Sequence, residues 1–104
     1  MSRCNYKKEE YQVKFKQYRK QVEKITKKQP LHQLENFEKR GRNKYHLDHI
    51  LSISYGFHNG IEPELIGNIF NLRFIPYKSN LQKSDYIEDC SWDVLEYFIK
   101  EGMI

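Results

Sequence analysis

Ahead of Pro30, the apolar residues Tyr11, Phe15, Tyr18, Val22 and Ile25 recur at spacings of four, three, four and three. Only a helix gathers such a series on one side, so the spacing predicts an amphipathic helix that ends before the proline. Its seam lasts barely two heptads and is aromatic rather than Leu-rich, so it is a face for the rest of the chain to cover, not a coiled coil. With 104 residues and 38% apolar content, that remainder can supply one modest core.

Further along, Leu31, Leu34 and Phe37 predict a second short helix, with Pro30 in its first turn and Gly41 as its C-terminal cap. Tyr45 to Ile53 reads as a strand entering a loop with Gly56 and Gly60, and Pro63 to Gly67 as one helical turn. Asn71 to Ile75 reads as a second strand stopped by Pro76, and helix propensity resumes from Lys78 to Ser84. A last helix, N-capped by Ser91 and ended by Gly102, is expected to bury Trp92, Leu95, Phe98 and Ile99. No repeat, low-complexity tract or linker interrupts the chain. The expected fold class is therefore α+β in one domain: a basic helical arm (1–44), a core (45–85) and a C-terminal helix (86–104).

The chemistry concentrates in Tyr45-His46-Leu47-Asp48-His49-Ile50, answered by Asn71-Leu72-Arg73 and Asn80-Leu81-Gln82-Lys83. Cutting a phosphodiester requires a base near neutral pH and a positive charge facing the phosphate. Histidine suits the first task, and a hard cation on oxygen ligands suits the second. Asp48 offers a charged oxygen and Asn80 a neutral one. So sparse a protein shell fits Mg2+ or Mn2+, completed by water and substrate phosphate. On a helix, Lys83 lies one turn beyond Asn80, so both face one phosphate.

Asp48-His49-Ile50, a loop ending in Asn71-Leu72, and Asn80-x-x-Lys83 together resemble the His-Asn-His (HNH) endonucleases, in the variant whose last position is Asn. The resemblance covers about residues 45–85, and the run from Gly56-Phe57 through Ile66-Gly67 to Asn71-Leu72-Arg73 is most similar to small phage members. It implies a ββα-metal unit in which Asp48 and Asn80 bind the cation and His49 takes the proton from the attacking water. It further implies that Asn71 fastens the loop between the strands and orients the base. The implied products carry a 5′ phosphate and a 3′ hydroxyl. Many members brace this unit with zinc on two Cys-x-x-Cys pairs. Here Cys4 and Cys90 lie far apart, so no structural zinc is expected and packing must do the bracing.

Other residues carry blander alternatives. His46 shares Asp48's strand face, and is either a contact to DNA or metal or a packed surface histidine. His58 reads as polar loop chemistry, and His32 has no evident partner. Asn68 competes with Asn71, which the strand-like Leu72-Arg73 favours.

Residues 1–44 hold fourteen Lys or Arg against five acids, and residues 45–104 hold four against nine, a split of +9 and −5 behind the net +4. A solvated helix face explains part of this. Attraction of a polyanion explains it better, with Arg40, Arg42 and Lys44 in a basic turn before the site and Arg73, Lys78 and Lys83 around it as DNA contacts. The expected partner is double-stranded DNA, with a homodimer or a protein supplying specificity as further possibilities. An idle or partner-dependent DNA-binding protein is the competing function. No apolar run approaches a membrane span, Met1-Ser2-Arg3-Cys4 leads into charge, and the unpaired cysteines fit a reducing compartment. A cytoplasmic location is expected.

Overall fold

The computed structural model describes residues 8–82 and 89–104. Among these residues the chain is α+β, with helices α1 (Lys8–Lys27), α2 (Ile53–His58), α3 (Pro63–Ile66), α4 (Tyr77–Gln82) and α5 (Asp89–Lys100), and strands β1 (Tyr45–His49) and β2 (Leu72–Pro76). No helix among them is long and apolar enough to cross a membrane.

Helix α1 follows its apolar seam, with Glu9 and Glu10 in the first turn and Lys24 and Lys27 in the last, where each complements the helix dipole. Phe57 is the knob the seam closes on: its ring centroid lies 5.6, 5.2 and 5.5 Å from those of Tyr11, Phe15 and Tyr18. Deeper in, Val22 joins Leu51, Leu65, Ile66, Val94 and Phe98 in the core, so α1, α3 and α5 enclose the segment that follows β1.

Strands β1 and β2 are antiparallel, with Asp48 opposite Arg73, Leu47 opposite Phe74 and His49 opposite Leu72. Alternation places Leu47 and Phe74 on one face, where Phe37 meets Phe74 edge-on at 5.9 Å. Helix α4 follows β2 without a loop and packs on both strands.

Several sequence expectations change. Leu31, Leu34 and Phe37 form no α-helix; two 3-10 turns, Leu31–Gln33 and Phe37–Lys39, are separated by extended Leu34 and by Asn36 at φ 69°. A spacing of three is the 3-10 repeat, and asparagine tolerates the left-handed conformation, so both features favour short turns. Gly41 caps nothing; its N–H donates to Tyr45 O at 3.1 Å. The first strand stops at His49, and the supposed loop contains α2, N-capped by Ser52, whose Oγ accepts from Tyr55 N–H at 2.9 Å. Gly56 lies inside that helix, where an added Cβ would meet Ile66 Cγ1 at 2.5 Å and the Tyr18 hydroxyl closer still. Asn71 belongs to a 3-10 turn, Ile69–Asn71, and Pro76 is the last residue of β2.

Ser91 is not an N-cap. It is buried within α5 and its hydroxyl donates to Ile50 O at 3.2 Å. Consequently the phase of α5 buries Val94 and Phe98, while Trp92 and Ile99 are 58% and 62% exposed. Gly102 does end the helix: at φ 72° it donates to Ile99 O, and Met103 N–H donates to Phe98 O. That is the paired Schellman closure. Ser84 lies outside the described residues.

Candidate functional site

Position 71 holds the site together. Asn71 is fully buried; its Oδ1 accepts from Leu51 N–H at 2.7 Å, and its Nδ2 donates to Leu51 O at 3.1 Å and Ile66 O at 2.7 Å. Its backbone carbonyl accepts from Ile50 N–H at 2.8 Å. The two residues after His49 are thereby fixed to the turn before β2. Asn68 does a smaller job, its Oδ1 accepting from Phe70 N–H at 2.9 Å.

A cleft of about 420 Å³ surrounds the end of β1, and Asp48, His49 and Asn80 all line it. Strand β1 supplies the first two and α4 the third, and Arg19 of α1 contributes a cationic wall.

The imidazole of His49 is held from behind. Thr26 donates its hydroxyl proton to Val22 O at 2.7 Å, so its oxygen accepts from His49 Nε2–H at 3.0 Å. In a neutral ring this places the basic lone pair on Nδ1. Thr26 was missed by sequence reasoning. The available signal was a hydroxyl one helical turn after Val22, inside an otherwise apolar stripe.

Asp48 is buried, and its Oδ2 accepts from Arg73 Nε at 2.7 Å. The structure thus pairs Arg73 with its cross-strand neighbour, while its side chain stays partly exposed. Asn80 Nδ2 donates to His46 Nδ1 at 3.3 Å, and His46 Nε2–H donates to Arg42 O at 2.6 Å. His46 accordingly links the basic turn to α4. The amide donation orients Asn80 through its nitrogen, which makes its oxygen the available acceptor atom.

The donor set fits a hard divalent ion: one carboxylate and one amide oxygen in a common cleft, with no nitrogen or sulfur ligand required. Among the described residues there is no group of three or more His, Cys, Asp or Glu to hold a metal on protein ligands alone.

Of the expected cationic contacts, Arg42, Lys44 and Lys78 are exposed. Arg40, also exposed, lies 3.7 Å over the Phe37 ring and donates to Phe37 O at 3.0 Å. Lys83 lies outside the described residues. His58 is not loop chemistry but a strut: Nδ1–H donates to Ser54 O at 2.8 Å, and Nε2 accepts from the Tyr11 hydroxyl at 2.8 Å. Tyr18 makes a second strut, donating to Ile61 O at 2.7 Å. Burial first, then the Glu62 and Glu64 carboxylates, hold its phenol well above the ordinary tyrosine range.

No family model, curated protein or solved structure matches this chain. The functional reading therefore rests on the residues themselves.

Proposed function

We propose that this chain is a metal-dependent endonuclease of the HNH type, hydrolysing DNA phosphodiester bonds, with β1, β2 and α4 as its ββα unit. The observation that carries the proposal is the convergence of Asp48, His49 and Asn80 on one cleft. In this reading His49 Nδ1 accepts the proton of the attacking water, while Thr26 keeps the opposite nitrogen protonated and the ring in place. Asp48 and Asn80 would hold Mg2+ or Mn2+, which supplies charge neutralisation at the phosphate and the leaving oxygen. Asn71 orients rather than reacts: it fixes the backbone beyond His49. Exposed Arg42, Lys44 and Lys78 grip the flanking phosphates.

One observation favours a second reading. The Arg73 guanidinium already pairs with Asp48, the charge arrangement of a DNA-binding protein that needs no cation.

Supercoiled plasmid incubated with Mg2+, Mn2+ or a chelator decides between them. The nuclease produces metal-dependent nicks, and His49→Ala, with fold and DNA binding intact, loses at least about 100-fold in rate. Equal cleavage by the variant refutes the role of His49. Binding without cleavage by either protein supports the second reading.

A further inference from the structure

A second cleft, of about 540 Å³, opens on the basic side of the sheet. It is lined by Lys39, Lys44, Lys78, Tyr45, Tyr77 and Pro76, with Glu38 the one acidic residue among three lysines. The volume suits a ligand of nucleotide size.

The cleft is built from two stretches of chain, 38–45 and 76–78, that the fold ties together. Tyr77 N–H donates to Lys44 O at 2.8 Å, Tyr45 is registered opposite Pro76, and Gly41 N–H donates to Tyr45 O. Lys39 Nζ sits 5.6 Å from the Tyr45 ring centroid, so an ammonium and an aromatic face are already side by side. Flat rings beside lysines match a ligand that is itself a flat ring carrying an anion. A nucleobase stacks on an aromatic face whatever its identity, and its phosphates seek the ammonium groups.

The cleft also borders the candidate active site. Tyr77's ring lies 6.0 Å from that of His46, and His46 is bonded to Asn80. A strand whose phosphate lies at Asp48 and Asn80 passes His46 on its way to Tyr77. A base inside a duplex is stacked on both faces and cannot enter such a recess.

We propose that this cleft takes an unpaired nucleotide of a DNA strand, with the base against Tyr45 and Tyr77 and its phosphates against Lys39, Lys44 and Lys78. Resting on the nuclease reading, this makes the preferred substrate one with single-stranded DNA beside the cut, as at a flap or a displaced strand.

The test is binding in chelator, where no cleavage occurs, using a fluorescent oligothymidylate of about ten nucleotides and a duplex of the same length. Tyr77→Ala is expected to weaken single-strand binding about tenfold, from loss of one stacking contact, while duplex binding changes less than about twofold. Tyr77→Phe retains the wild-type affinity, and Lys39→Ala weakens the single-strand complex with a reduced salt slope. Thermal unfolding identifies any variant that fails to fold, and Tyr45→Ala provides the second ring. Unchanged single-strand affinity in folded Tyr77→Ala and Tyr45→Ala overturns the proposal. Equal weakening on both DNA forms also overturns it, because that is a phosphate grip alone. His49→Ala keeps the binding pattern, so a failed nuclease assay leaves this result standing on its own.

Discussion

Replacing Asn71 tests whether the site is assembled by one buried amide. Its side chain makes three hydrogen bonds, to Leu51 N–H, Leu51 O and Ile66 O, with no solvent exposure. Asn71→Ala removes all three partners and leaves one donor and two acceptors buried. At about 1–3 kcal/mol for each unmet buried group, the loss is at least about 3 kcal/mol. Asn71→Asp is the sharper variant, because it preserves shape. The acceptor for Leu51 N–H survives, both donated bonds vanish, and carboxylate oxygens face two carbonyls, so a loss of about 3 kcal/mol or more is again expected. For a domain of this size 1 kcal/mol moves Tm by roughly 4 °C or more, which puts both variants at least about 12 °C below wild type. Urea unfolding at neutral pH gives the same quantity through the midpoint. His49→Ala, run beside them, removes the bond to Thr26 and is expected to cost less than either Asn71 variant, because His49 is only partly buried. A loss under about 1 kcal/mol in both Asn71 variants refutes the architectural assignment.

Gly56→Ala is expected to cost about 1–3 kcal/mol by forcing a Cβ into Ile66 and Tyr18, whereas Gly60→Ala, in open space at φ 66°, pays only for its backbone conformation; thermal melts of the pair distinguish the two causes. Thr26→Val keeps the volume but leaves His49 Nε2–H without its acceptor. Nicking is expected to slow about tenfold with DNA affinity unchanged, Thr26→Ser restores the rate, and full activity in the valine variant removes Thr26 from the mechanism. Tyr18 has a folded-state pKa raised above its ordinary 10.0, so its contribution is complete below that pH and is lost as pH rises, because the unfolded chain ionises first. Urea midpoints at pH 8 and pH 10.5 therefore diverge less in Tyr18→Phe than in wild type, and identical pH slopes count against a buried neutral phenol.

The seam of α1 was legible because five apolar residues over four turns overdetermine the phase. Strand β1, the helical turn at Pro63 and the strand character of Leu72-Arg73 were equally plain. Boundaries failed where local pattern and packing disagreed. Gly56 looks like a loop residue in sequence, yet its missing side chain is what lets α2 approach Tyr18 and Ile66. Trp92 and Ile99 look like core, yet burial of Ser91 turns α5 by enough to leave both outside. The site divides the same way. Asp48, His49 and Asn80 share one cleft. The Arg73–Asp48 pair depends on strand register and Thr26 on helix docking, and neither is written in any local run of residues.

Four of the bonds that tie α1 and Gln29 to the rest of the fold span long stretches of chain. Tyr11 reaches His58, Tyr18 reaches Ile61, Thr26 reaches His49 and Gln29 reaches Ile69, spanning 47, 43, 23 and 40 residues. Helix α1, made before all of these partners, thus waits for them until at least residue 69 has been made, and for Val94 and Phe98 until α5 has been made. Loop closure over such spans precedes the reward of packing, so folding should be slow for a chain so rich in helix, with His49 acquiring its support only at the final docking step. Until then the aromatic seam is exposed, and the lysines along the same helix are its protection against aggregation.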